Sequence, residues 1–553
     1  MWVLGVNGPP IGWHDPSACL LDGEGRVVAF AEEERFDRRR HAPHARPGTA
    51  VEFCLRTAGI SRADIDIVAV GWDTPGLAPD LYENDVAFLG RLLGWENPPP
   101  SVKVVHVPHH LAHATCAFYA SSFDEAGVVV VDGTGGREST SIWHFRSGRA
   151  PVNVREWPQS HSLGHAYDGA SHWLGLGFFA AGKTMGLAAY GRAARLQVPE
   201  LAAFGDAEYR PVVVDDPAVA GYDPADMVGM CHQTVAAWRR TYERIAGAPG
   251  PCEPSGSLDR DPKAVLVAYT AQRLVERSVQ WLAAHTRELT GVSALCLSGG
   301  VALNCSSNGM VPAPLYVPPM PHDGGVALGA AWHVRPPGAA WHVRPPGARR
   351  EPFVPFTGRT PGPPPECPDG LEFLDFCPDQ VAALLLDGRI GAIVTGRSEA
   401  GPRALCNRSI IARPAPAQVR ERLNTIKERE QWRPFGPVAS AAANPRLWDD
   451  VGELSRYMLG AARMTEAGLD ATPAVAHADG TTRPQELRPN DSPSMSSVLD
   501  AMAAQGAAPV LVNTSFNGRG EPIVDTAADA LAAFHRLDLD FLILEDRILR
   551  KPR

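Results

Sequence analysis

Two apolar runs, Val104-Val105-His106-Val107-Pro108 and Gly127-Val128-Val129-Val130-Val131-Asp132, bracket an Ala-rich segment without proline at 111–121, which is entered through His109-His110-Leu111-Ala112-His113. The runs are short, Val-rich and closed by Pro or Asp-Gly, so they specify buried strands, and the segment between them specifies a helix. If that helix forms, His109 and His113 stand four residues apart on one face. Two imidazoles at that spacing supply half of a transition-metal site, and Asp132 at a strand end can add a hard oxygen ligand. The following Gly133-Thr134-Gly135-Gly136 lets a phosphate approach the backbone closely. Each feature has an ordinary explanation: a single His is usually a satisfied core or surface residue, and Asp-Gly-Thr-Gly after a strand is a frequent tight turn. Their convergence within about 35 residues points to a metal-assisted phosphate site.

At 553 residues the chain exceeds what one hydrophobic core serves, so two or three domains are expected. A formal charge of −10 provides no basic footprint for a nucleic-acid backbone, and no nucleic-acid partner is expected. The ten cysteines include no CxxC, which excludes a zinc knuckle or a disulfide framework and favours reduced thiols in a cytosol. Residues 1–7 lack a basic region and a long apolar core, and no later stretch approaches a membrane span. A cytoplasmic protein without membrane contact is therefore expected.

In chain order, residues 2–7, 17–21 and 26–31 read as a three-strand meander, with His14-Asp15 in its first loop, where His14 can act as a general base. A helix over 46–59 ends at a capping Gly59, and a strand over 65–71 follows. Residues 77–100 show no assignable pattern. Strands over 102–107, 127–132 and 139–145 begin the pattern again, as a duplicated nucleotide-binding fold requires. Residues 182–191, Gly-punctuated with one lysine (Lys183), lack the preceding strand and the GxxxxGK of a Walker loop. Residues 210–262 show no strong period, whereas 264–290 form the clearest helix. Ser298-Gly299-Gly300-Val301-Ala302-Leu303-Asn304 reads as a strand-to-helix phosphate or ribose turn. Asp323 sits at a helix N-terminus, where it is either an N-cap or the fourth member of the His109, His113, Asp132 set.

The nonapeptide AAWHVRPPG occurs twice in tandem, at 330–338 and 339–347, and eleven prolines lie between 336 and 368. This composition marks a local duplication in a linker, dividing the chain into 1–335, a linker 336–369, and 370–553. The third part contains strands (390–394, 510–512, 541–544), helices (379–386, 417–427, 526–535) and loops in which Arg403, Arg433 and Arg483 sit beside Pro or within a Gly/Pro-rich turn. A guanidinium so placed can fork onto phosphate oxygens. The polar turn 513–523, which contains Asn513 and Asn517, looks like a site wall.

The motifs HDPSA (14–18), FAEEERF (30–36), HHLAHA (109–114), VVDGTG (130–135), GKTMGLAAYG (182–191), SGGVALN (298–304), GPRAL (401–405), WRPFGP (432–437), TRPQ (482–485) and NTSFNGRGEPIV (513–524) resemble, in this order, the O-carbamoyltransferase family that includes nodulation-factor, cephamycin and tobramycin-type enzymes. The resemblance implies an α/β protein with an N-terminal actin/Hsp70/sugar-kinase-like domain, related to tRNA threonylcarbamoyl transferases, and a C-terminal YrdC-like domain. It implies that His109, His113, Asp132 and Asp323 hold iron(II) or a similar divalent metal. Gly133, Thr134, Lys183, Gly299, Gly300 and Asn304 would line the site for ATP, with or without Mg2+, and Arg403, Arg433, Arg483, Asn513 and Asn517 would receive carbamoyl phosphate. The implied activity is ATP-dependent transfer of a carbamoyl group, through carbamoyl adenylate, to a hydroxyl of a small natural product such as an antibiotic, with His14 taking the proton. Two features depart from the family pattern: the linker repeat, and a loop Gly8-Pro9-Pro10-Ile11-Gly12-Trp13 without the carboxylate that would grip an amino sugar, which favours a less cationic acceptor. A tRNA-modifying transferase would share the His pair, but the arginine loops and the acidic charge argue against it. A non-catalytic actin/Hsp70-type module would need neither four metal ligands nor a second arginine-lined domain.

Overall fold

The computed structural model describes residues 1–205, 208–250, 257–335, 352–363, 370–441 and 443–551. The N-terminal segment forms β1 (Val3–Asn7), buried at all five positions. β1 pairs antiparallel with β2 (Ser17–Leu21), which pairs antiparallel with β3 (Val27–Glu32); on its other edge β1 runs parallel to β4 (Ile67–Val70), and β4 to β5 (Lys103–His106). The sheet order is β3-β2-β1-β4-β5.

The chain then builds the same unit again. β6 (Glu125–Val131), β7 (Glu138–Arg146) and β8 (Val152–Pro158) form the second antiparallel meander. After a small ribbon of β9 (Ala202–Phe204) and β10 (Tyr209–Pro211), β11 (Leu295–Ser298) adds parallel to β6 and β12 (Leu315–Tyr316) parallel to β11. The order β12-β11-β6-β7-β8 repeats the first sheet position for position, which is the duplicated actin/sugar-kinase-type architecture expected from the sequence.

Helix His109–Ala120 follows β5, and helix Val326–Val334 packs between it and the first sheet. The close approach depends on small residues. A Cβ at Gly5 would overlap the carbonyl oxygen of Ala327, one at Gly71 the side chain of Val326, and one at Gly329 the carbonyl oxygen of Ala112. Val326 through Trp332 are all buried, so the start of the first AAWHV unit is core helix rather than linker. Residues 336–347 of the tandem repeat lie outside the described residues.

The C-terminal half is an eight-stranded mixed sheet of order β13-β22-β21-β14-β15-β20-β16-β19, with β13 at Glu372–Asp375, β14 at Gly391–Val394, β15 at Arg408–Ala412, β16 at Gly436–Ser440, β19 at Gln485–Leu487, β20 at Val510–Ser515, β21 at Phe541–Leu544 and β22 at Arg547–Arg550. β17 (Ala462–Arg463) and β18 (Thr481–Thr482) form a separate ribbon. Both faces of the large sheet are covered. Ala392, Val394, Ile410, Leu542 and Leu544 join one apolar cluster, while Ile393, Ile411, Phe541 and Ile543 join another, following the two-residue period of a strand.

Among the helices that the sequence reading did not assign, three bear on the site or its surroundings. Asp85–Leu93 is fixed by its ends, an Asn84 side-chain cap and a left-handed Gly94. Met227–Ala246 buries Thr234, Thr241 and small residues along with Trp238 and Tyr242, which blurs its apolar stripe. The Gly-punctuated stretch is helix Ala181–Ala193, whose glycines allow contact: Gly186 faces Trp432 and Pro434, and Gly191 lies against Tyr269.

The two halves share one core, in which Ala400, Leu405, Trp432 and Tyr457 pack with residues of the N-terminal sheets. Polar bonds close the seam, including Arg35 Nη2 to Gly401 O (2.9 Å), Arg38 Nη1 to Ile523 O (2.7 Å) and Asn308 Nδ2 to Leu459 O (2.9 Å). The described part of the Pro-rich segment is packed rather than free, with Phe353 N donating to Ala120 O and Gly358 N to Ser398 O. Substituting Gly329→Ala should force helix Val326–Val334 away from the His helix and cost about 3 kcal/mol, read as a lowered thermal midpoint; an unchanged midpoint would contradict this packing.

Candidate functional site

Helix His109–Ala120 begins directly after Pro108, so His109 and His113 project from its first turn and a half. Their Nε2 atoms lie 3.1 Å apart. Asp132, one residue beyond β6, places Oδ2 3.5 Å from His109 Nε2 and 3.4 Å from His113 Nε2. Asp323 is the first residue of the short helix Asp323–Gly325, whose N-cap is His322; the Asp323 Oδ1 is 3.6 Å from each imidazole. All four residues are buried, and their donor atoms lie within 4.8 Å of one another.

The surroundings hold His109 and Asp132 in place. His109 Nδ1 faces Gly71 O at 3.2 Å and its ring stacks on Trp72 at 3.7 Å, while Trp72 Nε1 donates to Asn7 Oδ1. Asp132 Oδ1 accepts from the backbone N–H groups of Gly133 (2.8 Å) and Gly300 (3.0 Å), which leaves Oδ2 for the centre. Burial alone would push the His109 imidazole down, but Asp323 and Asp132 outweigh it and hold it up at about 10. Burial would raise Asp132, yet the two imidazoles hold its carboxyl well below the usual range. The cluster thus demands positive charge at its centre. Two histidines and two carboxylates suit a divalent first-row metal, which would also satisfy both facing imidazole nitrogens. His110 does not join them: its Nδ1 bonds Ser141 Oγ at 2.8 Å, and burial keeps it neutral.

Beside the cluster, His14 Nε2 lies 3.8 Å from Asp323 Oδ2. Asp15 bridges two rings, with Oδ2 2.8 Å from His14 Nδ1 and Oδ1 2.8 Å from His41 Nδ1. Burial would lower His14, but Asp323 and Asp15 raise it to about 9. Asp15 and His41 both adopt left-handed backbone (φ 50° and 63°), which is uncommon for residues other than glycine and serves here to aim both side chains.

A cavity of about 400 Å3 runs from this shell into the seam between the two halves. Asp15, His41 and His322 line its N-terminal end, while Arg403, Lys427, Arg429, Arg433, Arg483 and Arg519 line the other. Arg40 and Lys183 reach in from the N-terminal half. Burial and the nearby Arg483 lower Arg403 to about 9, and burial with Arg429 and Arg433 pushes Lys427 well down. Crowded, partly desolvated cations of this kind need anions, and the buried Nε atoms of Arg403 and Arg483 have no hydrogen-bond partner among the described residues.

Residues 86–332 match the family model described as the carbamoyltransferase N-terminus, and residues 382–551 match that of the carbamoyltransferase C-terminus. Across 97% of its length the chain is 33% identical to nodulation protein NolNO of Sinorhizobium fredii, covering 79% of that protein. The chain belongs to the carbamoyltransferase family. It is also 36% identical over 279 residues, 47% of this chain and 49% of the relative, to 3'-hydroxymethylcephem-O-carbamoyltransferase of Amycolatopsis lactamdurans. Among solved structures it is similar to (R)-2-hydroxyglutaryl-CoA dehydratase component A of Acidaminococcus fermentans (TM-score 0.32, 12% identity, 60% of this chain and 97% of the other). It is also similar to full-length HypF in a phosphate- and nucleotide-bound form (TM-score 0.24, 17% identity, 32% and 22%). Among the described residues, no helix is long and apolar enough to cross a membrane.

In this carbamoyltransferase the sequence-expected residues fall into three groups. His109, His113, Asp132 and Asp323 converge, with His14 beside them. Arg403, Arg433, Arg483, Asn513 and Asn517 all line the cavity, where Asn513 Nδ2 donates to Ala404 O and Gln485 Oε1, and Asn517 Oδ1 accepts from Lys427 Nζ. Of the expected nucleotide residues only Lys183 lines that cavity, and it pairs with Glu430 at 2.9 Å. Gly133, Thr134, Gly299 and Gly300 gather instead around the turns at Asp132 and Ser298. Thr134 Oγ1 meets His165 Nε2 at 3.0 Å, and Gly299 takes φ 86° against the Val131 backbone. Asn304 caps the following short helix and bonds Gln272 and Tyr167.

Sequence reasoning missed Lys427 and Arg429, which sit at the end of helix Val419–Ile426 and look like an ordinary solvated charge run; their proximity to the WRPFGP loop was the available signal. It also missed the His14–Asp15–His41 bridge, which depends on the two left-handed turns. Burial holds His161 and His165, both behind the Asp132 turn, down at about 4 from the usual 6.5. Because the folded protein prefers these rings neutral, their contribution is complete above pH 6.5 and is lost as the pH falls toward 4. The thermal midpoint should therefore drop over that interval, and less so in His165→Phe; a flat profile between these limits would contradict the assignment.

Proposed function

We propose that the protein forms carbamoyl adenylate from carbamoyl phosphate and ATP and transfers the carbamoyl group to a hydroxyl of a small molecule. The observation that carries this reading is the single cavity joining the arginine cluster of the C-terminal half to Asp15, His41 and His322 beside the buried His/Asp centre. The similarity to a cephem O-carbamoyltransferase supports a small hydroxylated acceptor, and a YrdC-like role for the C-terminal half is part of the same proposal.

In this mechanism Arg403, Arg433 and Arg483 neutralise the phosphate oxygens of carbamoyl phosphate while water releases inorganic phosphate and leaves carbamate. A carbamate oxygen attacks the α-phosphorus of ATP, the bond to the β-phosphate oxygen breaks, and carbamoyl adenylate and pyrophosphate form. Lys183 and Arg40, reaching in from the other half, hold the charged adenylate in the seam. Carbamate is short-lived in water, so the enclosed cavity protects it. At the far end His14 Nε2 takes the acceptor proton as the acceptor oxygen attacks the carbamoyl carbon and AMP departs. Asp15, itself held by His41 Nδ1, fixes the His14 ring. A divalent ion such as iron(II) held by His109, His113, Asp132 and Asp323 would polarise the carbamoyl oxygen and cancel the carboxylate field that keeps His14 protonated.

Purified protein should catalyse ATP–pyrophosphate exchange that requires carbamoyl phosphate. Arg403→Ala and Arg433→Ala should each lower exchange about 100-fold, whereas His14→Ala should lower transfer to the acceptor much more than exchange. Folded protein without carbamoyl-phosphate-dependent exchange would refute the donor chemistry.

A further inference from the structure

The solvent side of His14 is a wall of aromatic rings. Trp13, Phe178 and Phe179 are 43%, 46% and 39% exposed. Phe179 stacks on His41 (centroids 4.2 Å apart, 19° between planes) and meets His14 edge-on at 5.2 Å; Trp13 meets His14 at 4.7 Å and Phe179 at 5.6 Å. Phe178 packs edge-on against His172 at 4.4 Å. Leaving three large rings exposed together sacrifices apolar burial, so a patch of this kind marks a contact surface. Phe179 is also held at φ 58°, a strained conformation for a bulky residue, and it lines the end of the cavity nearest Asp15 and His41.

The charges around this wall do not suit a cation. Asp15 is buried and already shared between His14 and His41, and Glu34 accepts the His41 backbone N–H at 2.7 Å. Asp168, facing His14, is held up at about 7 by burial. A polycationic amino sugar would find Asp15 already shared between two imidazoles, whereas a flat neutral ring would find exposed aromatic faces.

We infer that Trp13, Phe178 and Phe179 form the acceptor wall, and that the acceptor is a neutral molecule whose reactive hydroxyl lies beside a flat apolar or aromatic ring. The ring stacks on Trp13 and Phe179 while the hydroxyl points at His14. This rests on the carbamoyl-transfer reading above and specifies the substrate class it takes.

The test is saturation-transfer NMR and calorimetric titration of the metal-loaded full chain with three probes: phenyl β-glucoside, methyl β-glucoside and kanamycin. Phenyl β-glucoside should bind at least tenfold tighter than the other two, with saturation strongest on its ring protons. Trp13→Ala should weaken it about tenfold, and Trp13→Phe should restore most of the affinity. Equal or tighter binding of kanamycin or methyl glucoside, no detectable preference, or an unaffected Trp13→Ala variant would overturn the inference. ATP–pyrophosphate exchange on the same wild-type sample separates the two readings: exchange without ring preference sinks the acceptor wall alone, and ring preference without exchange sinks the donor chemistry alone.

Discussion

Two imidazole nitrogens 3.1 Å apart in a buried site, faced by two buried carboxylates, must share a positive charge between them. A proton can serve in part; a divalent metal satisfies all four groups at once. The fold is arranged to bring these groups to one point. Both histidines come from the first turns of a helix entered through β5, Asp132 from the end of β6, and Asp323 from the entry to the helix that passes between the first sheet and the His helix. Gly5, Gly71 and Gly329 permit the backbone approach that closes the site.

The second half supplies what the His/Asp cluster lacks. The chain carries a net charge of −10, yet the cavity gathers Arg403, Lys427, Arg429, Arg433, Arg483 and Arg519, so the local field opposes the global one and suits anionic ligands. Because the halves share a core as well as polar bonds, the path between the cation cluster and His14 is built of packed side chains rather than of a gap bridged by a linker. In the proposed reaction a labile carbamate or adenylate would therefore stay enclosed between the two halves.

Much of this was legible in the residues. The His109/His113 spacing, Asp132 at the end of a Val run and the three arginine loops each carry their chemistry in local sequence, and the repeated meander announced the duplicated fold. Asp323 was ambiguous, since a cap and a member of the His/Asp cluster look alike until His322 is seen at the cap position and the Asp323 Oδ1 at 3.6 Å from both imidazoles. Helices Ala181–Ala193 and Met227–Ala246 were hidden because glycines, threonines and alanines form their buried faces, so no apolar stripe stood out. The AAWHV repeat suggested linker because duplication and proline dominate its second half, whereas the first Trp332 is buried by tertiary packing. The pairing of His14 with His41 through Asp15 joins residues 26 positions apart by way of strained turns, which no periodicity encodes.

The most direct test of the central claim is metal content after anaerobic loading with ferrous ion and removal of excess, measured by elemental analysis alongside a circular dichroism check of folding. The arrangement of His109, His113, Asp132 and Asp323 predicts one tightly held ion per chain, with His113→Ala and Asp323→Asn chains that remain folded but retain almost none. A folded wild-type protein that binds no divalent ion, or one whose bound ion survives both substitutions, would contradict it.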